Sequence, residues 1–213
     1  MQPPVPYIPI PGTWAWSGRD SSREWWKFGS VFHAAMTREG LIQGGDERPF
    51  WSTALAGANP ITRWLQRGQA VHRVWRFGGE TLAEYLRTIP LTNRRLVVHS
   101  HALQVALYAV AGSKIPIARL VSVGSPVRAD MMATAREAKP YIGRWLHLAS
   151  GKSDRMQWLG ELFDGKLGII REHPLADEQY SLKKAGHAGI LTDPALVAKY
   201  APVVASFLKW DVE

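Results

Sequence analysis

The sequence contains no cysteine. This excludes disulfides and thiolate metal sites but leaves the redox compartment open. It also lacks any uncharged apolar run of the roughly 18–20 residues that a membrane-spanning helix needs. The N-terminal MQPPVPYIPIPGTW has no basic segment ahead of an apolar stretch, so no secretory leader is expected and the cytoplasm is the default location. HExxH, CxxC, Walker and GxGxxG patterns are missing, which removes the commonest signs of zinc, phosphate and dinucleotide sites. No internal repeat, low-complexity tract or long linker divides the chain.

What is present suits one compact domain. The 213 residues are 46% hydrophobic and 21% charged, enough for a sizeable core in one domain spanning residues 1–213. The formal charge is +8. The basic residues, among them Arg63, Arg67, Arg73, Arg76, Arg94, Arg95, Lys183 and Lys184, are scattered, with no run longer than two. A solvated basic surface fits that spread better than a specific nucleic-acid partner. Such a surface can favour anionic surfaces or substrates without identifying them. The ten tryptophans belong in the core or in a pocket wall, because a buried indole removes a large apolar area from water.

Along the chain, Tyr7–Ile10 reads as a short strand running into the Pro11-Gly12 turn. Ser21-Ser22 can cap a helix from Arg23 to Arg38, with Trp26, Val31, Phe32 and Ala35 facing inward. Leu41–Gln43 and Phe50–Ser52 form a weak strand region. Arg76–Thr88 is helical, with a break or kink expected at Gly78-Gly79. A regular alternation follows: strand Leu96–His99, helix His101–Ala111, strand Ile117–Val123, helix Ala129–Ala138, strand Arg144–Ala149, and a last helix Pro194–Leu208. This order predicts an α/β fold with a mostly parallel sheet covered by helices on both faces. Ligands of such sheets lie beyond the carboxyl ends of the strands.

The residues after each strand therefore carry the functional reading. They are Pro11-Gly12-Thr13-Trp14, His99-Ser100-His101, Gly124-Ser125-Pro126 and Ser150-Gly151-Lys152-Ser153-Asp154, with Gly186-His187-Ala188-Gly189 before the last helix. A serine, an acid and a histidine fall at successive strand ends in that order, which is the order of α/β-hydrolases. Ser100 is either a nucleophile or a helix N-cap. Asp154 follows a buried strand, whereas Asp130 and Asp177 are alternative acids. His187 is a base candidate or a surface loop histidine. His99 and His101 flank Ser100 with side chains directed away from its oxygen, as second-layer or substrate-facing groups. His33, His72, His147 and His173 lie outside any motif.

The sequence resembles the α/β-hydrolase superfamily, in particular its small lipase- and esterase-like serine hydrolases. VVHSHAL resembles the nucleophile elbow, IPIPGTW the oxyanion loop, and VSVGSPVRAD the following strand with its GSP turn. LHLASGKSD resembles the acid-bearing strand end and GHAGIL the histidine loop. The likeness extends over residues 7–208. It implies a minimal α/β-hydrolase fold without the first two strands of the full sheet. It also implies a Ser100–His187–Asp154 triad and an oxyanion hole from the backbone N–H groups of Thr13 (with Trp14 the close alternative) and His101. Trp14, Trp16, Trp51 and Trp158 lie near these loops in sequence and either line an apolar acyl pocket or pack in the core. The elbow departs from Gly-x-Ser-x-Gly in having Val98 and Ala102 at its outer positions, and Pro11 stands where many oxyanion loops have histidine.

The expected chemistry is cleavage of small-molecule, lipidic or polymeric carboxylic esters through an acyl-enzyme, with no cofactor. HSH places two histidines two residues apart, but no third ligand has suitable spacing, so no metal site is expected. A non-catalytic binding protein on the same fold is the rival that Val98 favours. A nucleic-acid-associated protein is the rival that charge alone suggests.

Overall fold

The computed structural model describes residues 4–12, 24–44, 69–150, 154, 172–182 and 185–209. The expected strand at Phe50–Ser52 lies outside them. The strands are β1 (Val5–Ile10), β2 (Leu41–Gln43), β3 (Arg95–His99), β4 (Ile117–Val123), β5 (Ile142–Ser150) and β6 (Glu178–Leu182). They form one six-stranded sheet in the order β2-β1-β3-β4-β5-β6, parallel throughout. The helices are α1 (Val31–Arg38), α2 (Gln69–Arg87), α3 (Ala102–Ser113), α4 (Met132–Ala138), α5 (Gly189–Thr192) and α6 (Pro194–Lys209). Among the described residues no helix is long and apolar enough to cross a membrane.

Parallel strands buried on both faces should read as continuous apolar runs, and β3 and β4 are buried along their whole length. Alternate residues feed two separate cores. Ile8, Ile10, Leu96, Val98, Leu120 and Trp145 pack under α2, α3 and α4. Tyr7, Val97, Val121, Val123, Leu146 and Leu148 pack under α1 and α6. This period of two is the geometry of the pleat.

β1 holds two prolines, which normally confine a strand to a sheet edge. Here β2 is registered with Val5–Tyr7 and β3 with Ile8–Ile10. The Val5 N–H donates to Gly40 and the Tyr7 carbonyl accepts from Gly44, so odd residues of β1 face β2 and even ones face β3. Pro6 and Pro9 thus each turn the missing N–H to the side where their half-strand has no registered partner. The chain leaves β1 toward β2 on one side and returns as β3 on the other. That reversal puts a crevice at the carboxyl ends of β1 and β3, the usual ligand position in such sheets.

Four expectations change. The helix expected from Arg23 begins only at Val31, because Ser30 is the cap: its hydroxyl accepts from the His33 N–H and donates to the Trp25 carbonyl. The first stretch, Glu24–Ser30, is instead a run of turns ending at Gly29, whose φ is +82°. The segment expected as one helix over Ala129–Ala138 opens with a 3-10 turn at Ala129–Met131 before α4. The edge strand β6 was not expected, since its three central residues are exposed and Glu178-Gln179-Tyr180-Ser181 lacks an apolar alternation. Finally, α2 runs from Gln69 to Arg87 without a break at Gly78-Gly79.

The Gly79 position has a packing cause. A Cβ there would lie 2.8 Å from Tyr108 Cβ and 2.9 Å from the Ala109 nitrogen, so glycine lets α2 lie directly on α3. Alanine is the better helix former by about 1 kcal/mol, and on propensity alone Gly79→Ala should stabilise. The contact reverses that sign: urea unfolding of Gly79→Ala should show a loss of about 1–3 kcal/mol. A gain in stability would mean that the helices are not this close.

Candidate active site

β3 ends at His99 and α3 begins at Ala102, leaving Ser100 on the turn between them. Ser100 has φ of +55°, a left-handed conformation that serine rarely adopts and that costs of order 1–3 kcal/mol. Its N–H donates to the Val123 carbonyl at 3.1 Å and its own carbonyl accepts from Leu103. The turn is thereby tied to β4 on one side and to α3 on the other. A Cβ on Gly12 would stand 2.8 Å from Ser100 Cβ, so the backbone after β1 closes over the serine only because residue 12 is glycine.

The N-cap reading of Ser100 is not what the structure contains. α3 has no side-chain cap bond. The Ser100 hydroxyl lies instead 2.9 Å from Nε2 of His187. The other ring nitrogen, Nδ1, is 2.9 Å from Oδ2 of Asp154, and the same oxygen accepts from the Ser150 hydroxyl at 2.5 Å. Asp154 is fully buried, Ser100 nearly so, and His187 is partly exposed. A buried carboxylate needs paired donors to stay charged, and Asp154 is faced by the Ser150 hydroxyl and the His187 ring. Because the carboxylate can only accept, His187 carries its proton on Nδ1 and offers an unprotonated Nε2 to the serine. Such an arrangement can draw the proton from a hydroxyl as it attacks an electrophile.

The alternative acids are committed elsewhere. Asp130 is held by Arg128 through both oxygens and reaches His72 at 3.1 Å. Asp177 pairs with Lys139 and accepts from the Trp145 N–H. Thr13, Trp14, Trp16, Trp51 and Trp158 lie outside the described residues. His101 follows the serine at the start of α3 and sets its ring against Trp75, at 5.2 Å between centroids. Val98 and Ala102, the two departures from the elbow pattern, are both fully buried in the core beneath α2 and α3, along with Ala106.

Two groups at the site were not assigned from sequence, and a third, His99, was placed there only as a second-layer or substrate-facing residue. Ser150, the last residue of β5, braces the carboxylate, and its place four residues before Asp154 was the available signal. Gly124, at φ +55°, lies beneath the His187 carbonyl, from which a Cβ would be only 2.6 Å away. His99 contacts the same carbonyl through Nε2 at 3.0 Å. Burial, reinforced by the nearby His187, pushes His99 down to about 3, so its imidazole is neutral. Among the described residues no group of three or more His, Cys, Asp or Glu side chains could hold a metal ion.

No family model matches the chain, and no curated protein is significantly similar in sequence. Solved structures do match. A predicted CIB-like hydrolase from Thermoplasma acidophilum shares 10% identity at a TM-score of 0.53, over 96% of this chain and 86% of that one. A dienelactone hydrolase from Anabaena variabilis shares 15% at 0.54, over 96% and 85%. The esterase domain of a Rhodothermus marinus protein shares 14% at 0.52, over 96% and 86%. At such identities the likeness is one of fold.

A second buried imidazole, His173, is also pushed down to about 3, by burial first and then by His147 and Lys139. The unfolded chain would protonate both His99 and His173 near their ordinary value of 6.5. Between there and about 3 the unfolded state holds protons that the folded state does not, so stability falls as pH falls through this window. His173→Gln should reduce the slope of unfolding free energy against pH, measured from pH 6 to 4, by about one proton's worth. An unchanged slope would show that His173 titrates normally in the folded protein.

Proposed function

We propose that this chain, which has the α/β-hydrolase fold of those structures, is a serine hydrolase that cleaves carboxylic esters. The observation that carries the reading is the continuous contact from Ser100 Oγ through both nitrogens of His187 to the buried Asp154, with the serine strained on a strand-to-helix turn. A packed loop histidine or a helix cap would require neither.

In the proposed reaction Ser100 Oγ attacks the ester carbonyl while His187 Nε2 takes its proton. Asp154 holds the imidazole in the tautomer that exposes Nε2 and stabilises the imidazolium as it forms. The carbonyl oxygen becomes an oxyanion, for which the His101 N–H at the head of α3 and the Thr13 N–H are the assigned donors. The positive end of the α3 dipole adds to this stabilisation. The tetrahedral species collapses as Nε2 returns the proton to the departing alcohol, leaving an acyl-Ser100. Water, deprotonated by the same nitrogen, then releases the acid and restores the serine. Substrates are small, lipidic or polymeric esters; the lipase-like GTW and GSP stretches support esters over amides.

Ser100→Ala, His187→Ala and Asp154→Asn should each lower p-nitrophenyl ester turnover by at least about a thousandfold. A double variant should lose little beyond its worse single one, because the three groups act as a unit. A fluorophosphonate should label wild type but not Ser100→Ala. Undiminished turnover by folded Ser100→Ala protein would end the proposal. Absence of both labelling and turnover in wild type would favour a binding protein on this fold.

A further inference from the structure

The histidine before the serine has a contact that its place in the elbow does not require. His99 closes β3, is only 8% exposed, and turns its ring toward His187, with centroids 4.8 Å apart. Its Nε2 meets the His187 backbone carbonyl at 3.0 Å. A carbonyl can only accept, so Nε2 bears the hydrogen and Nδ1 is unprotonated. The ring is itself held by the edge of Trp25, at 6.2 Å and 78°. On its far side lies the turn after β1, where a Cβ on Gly12 would come within 3.1 Å of His99 Nδ1. One imidazole thus packs against both loops that flank the serine.

We propose that His99 is a positioning residue, whose Nε2–H holds the His187 carbonyl and so sets the reach of the His187 ring to Ser100. The inference rests on the reading of Ser100 and His187 as nucleophile and base. Gly124 completes the seat: its Cα lies under the same carbonyl, which is gripped between a hydrogen bond and a backbone contact. His187 otherwise sits on a turn followed by the four-residue α5, where Gly189 bonds back to Gly186 and Leu191 to Ala188. A segment this short has little rigidity of its own. A misplacement of about 1 Å between base and nucleophile is enough to cost about a hundredfold in rate.

The type of donor matters as well. A lysine or arginine could reach the carbonyl but would place a fixed positive charge beside a ring that becomes cationic in the transition state. His99 gives an N–H without a charge, because burial keeps its imidazole neutral down to about 3. The role therefore requires a neutral donor on a side chain of this length. Glutamine meets both conditions. Methionine fills a similar space and donates nothing.

The test compares His99→Gln with His99→Met in the full chain. It measures kcat and KM on p-nitrophenyl acetate and amide hydrogen exchange at Gly189, Leu191 and Thr192. His99→Met should lower kcat by about 10- to 100-fold, leave KM within about threefold, and speed exchange in this loop. His99→Gln should recover most of the turnover and the protection. A role in packing alone would lower both variants alike, and equal losses overturn the proposal. So does a Met variant with wild-type kcat, or with wild-type exchange.

If His99→Met does not fold, Gly124→Ala disturbs the same carbonyl directly. Its methyl must displace the oxygen, so kcat should fall with KM nearly unchanged; wild-type kcat in that variant overturns the proposal. Ser100→Ala, assayed in parallel, keeps the two readings apart. Its failure to lose turnover would strike the nucleophile, whereas the exchange data report on the His99 contact independently.

Discussion

The backbone at Ser100 is the constraint on which the rest of this structure depends. Its φ of +55° is unfavourable for serine, by roughly 1–3 kcal/mol, and the turn persists only because its neighbours leave no other path. β1 and β4 flank β3, and each contributes. From β4 comes the Val123 carbonyl that accepts the Ser100 N–H. From β1 comes Gly12, whose missing side chain lets the backbone lie against the serine. The strand order is therefore part of the site, because another neighbour on either side would release the turn.

The same constraint governs what stands behind the serine. α3 must start at once on a strand buried along its length, and it is then covered in turn by α2. Its residues from Ala102 to Leu107, with Ala109 and Val110, are all buried, so the helix reads as apolar all round. Alanines at 102, 106 and 109 keep it close to its neighbours, and Gly79 does the same from the α2 side. Gly79, which with Gly78 suggests a helix break by propensity, is thus explained by packing between helices.

Much of this was legible in the sequence where burial imposed a pattern. β3 and β4 carry branched apolar runs because both faces are covered, and the order of serine, acid and histidine followed from reading the residues after each strand. What escaped had one covered side or depended on distant contacts. β6 is an exposed edge whose polar residues show no period. The start of α1 was misplaced because Ser21-Ser22 and Ser30 carry the same local capping signal, and only the Ser30 bonds to His33 and Trp25 distinguish them. The bond between His99 and His187 joins residues 88 positions apart. No local pattern encodes such a meeting; it appears only when β3 and the loop before α6 reach the same end of the sheet.

A second serine–histidine contact in the molecule shows what the proposed chemistry needs beyond a hydrogen bond. Ser122 Oγ is 2.7 Å from His147 Nδ1, closer than Ser100 is to His187. Ser122, however, sits within β4, has no exposed surface, and accepts from the Trp145 indole N–H at 2.8 Å. No substrate can approach it there. His147 is equally buried and has the His173 ring packed against it. Ser100 differs on each count. It lies beyond a strand end, its histidine is partly exposed, and a buried carboxylate waits on the far side of that ring to stabilise the charge. Position in the sheet, rather than proximity of hydroxyl to imidazole, separates a buried structural contact from one suited to the proposed chemistry.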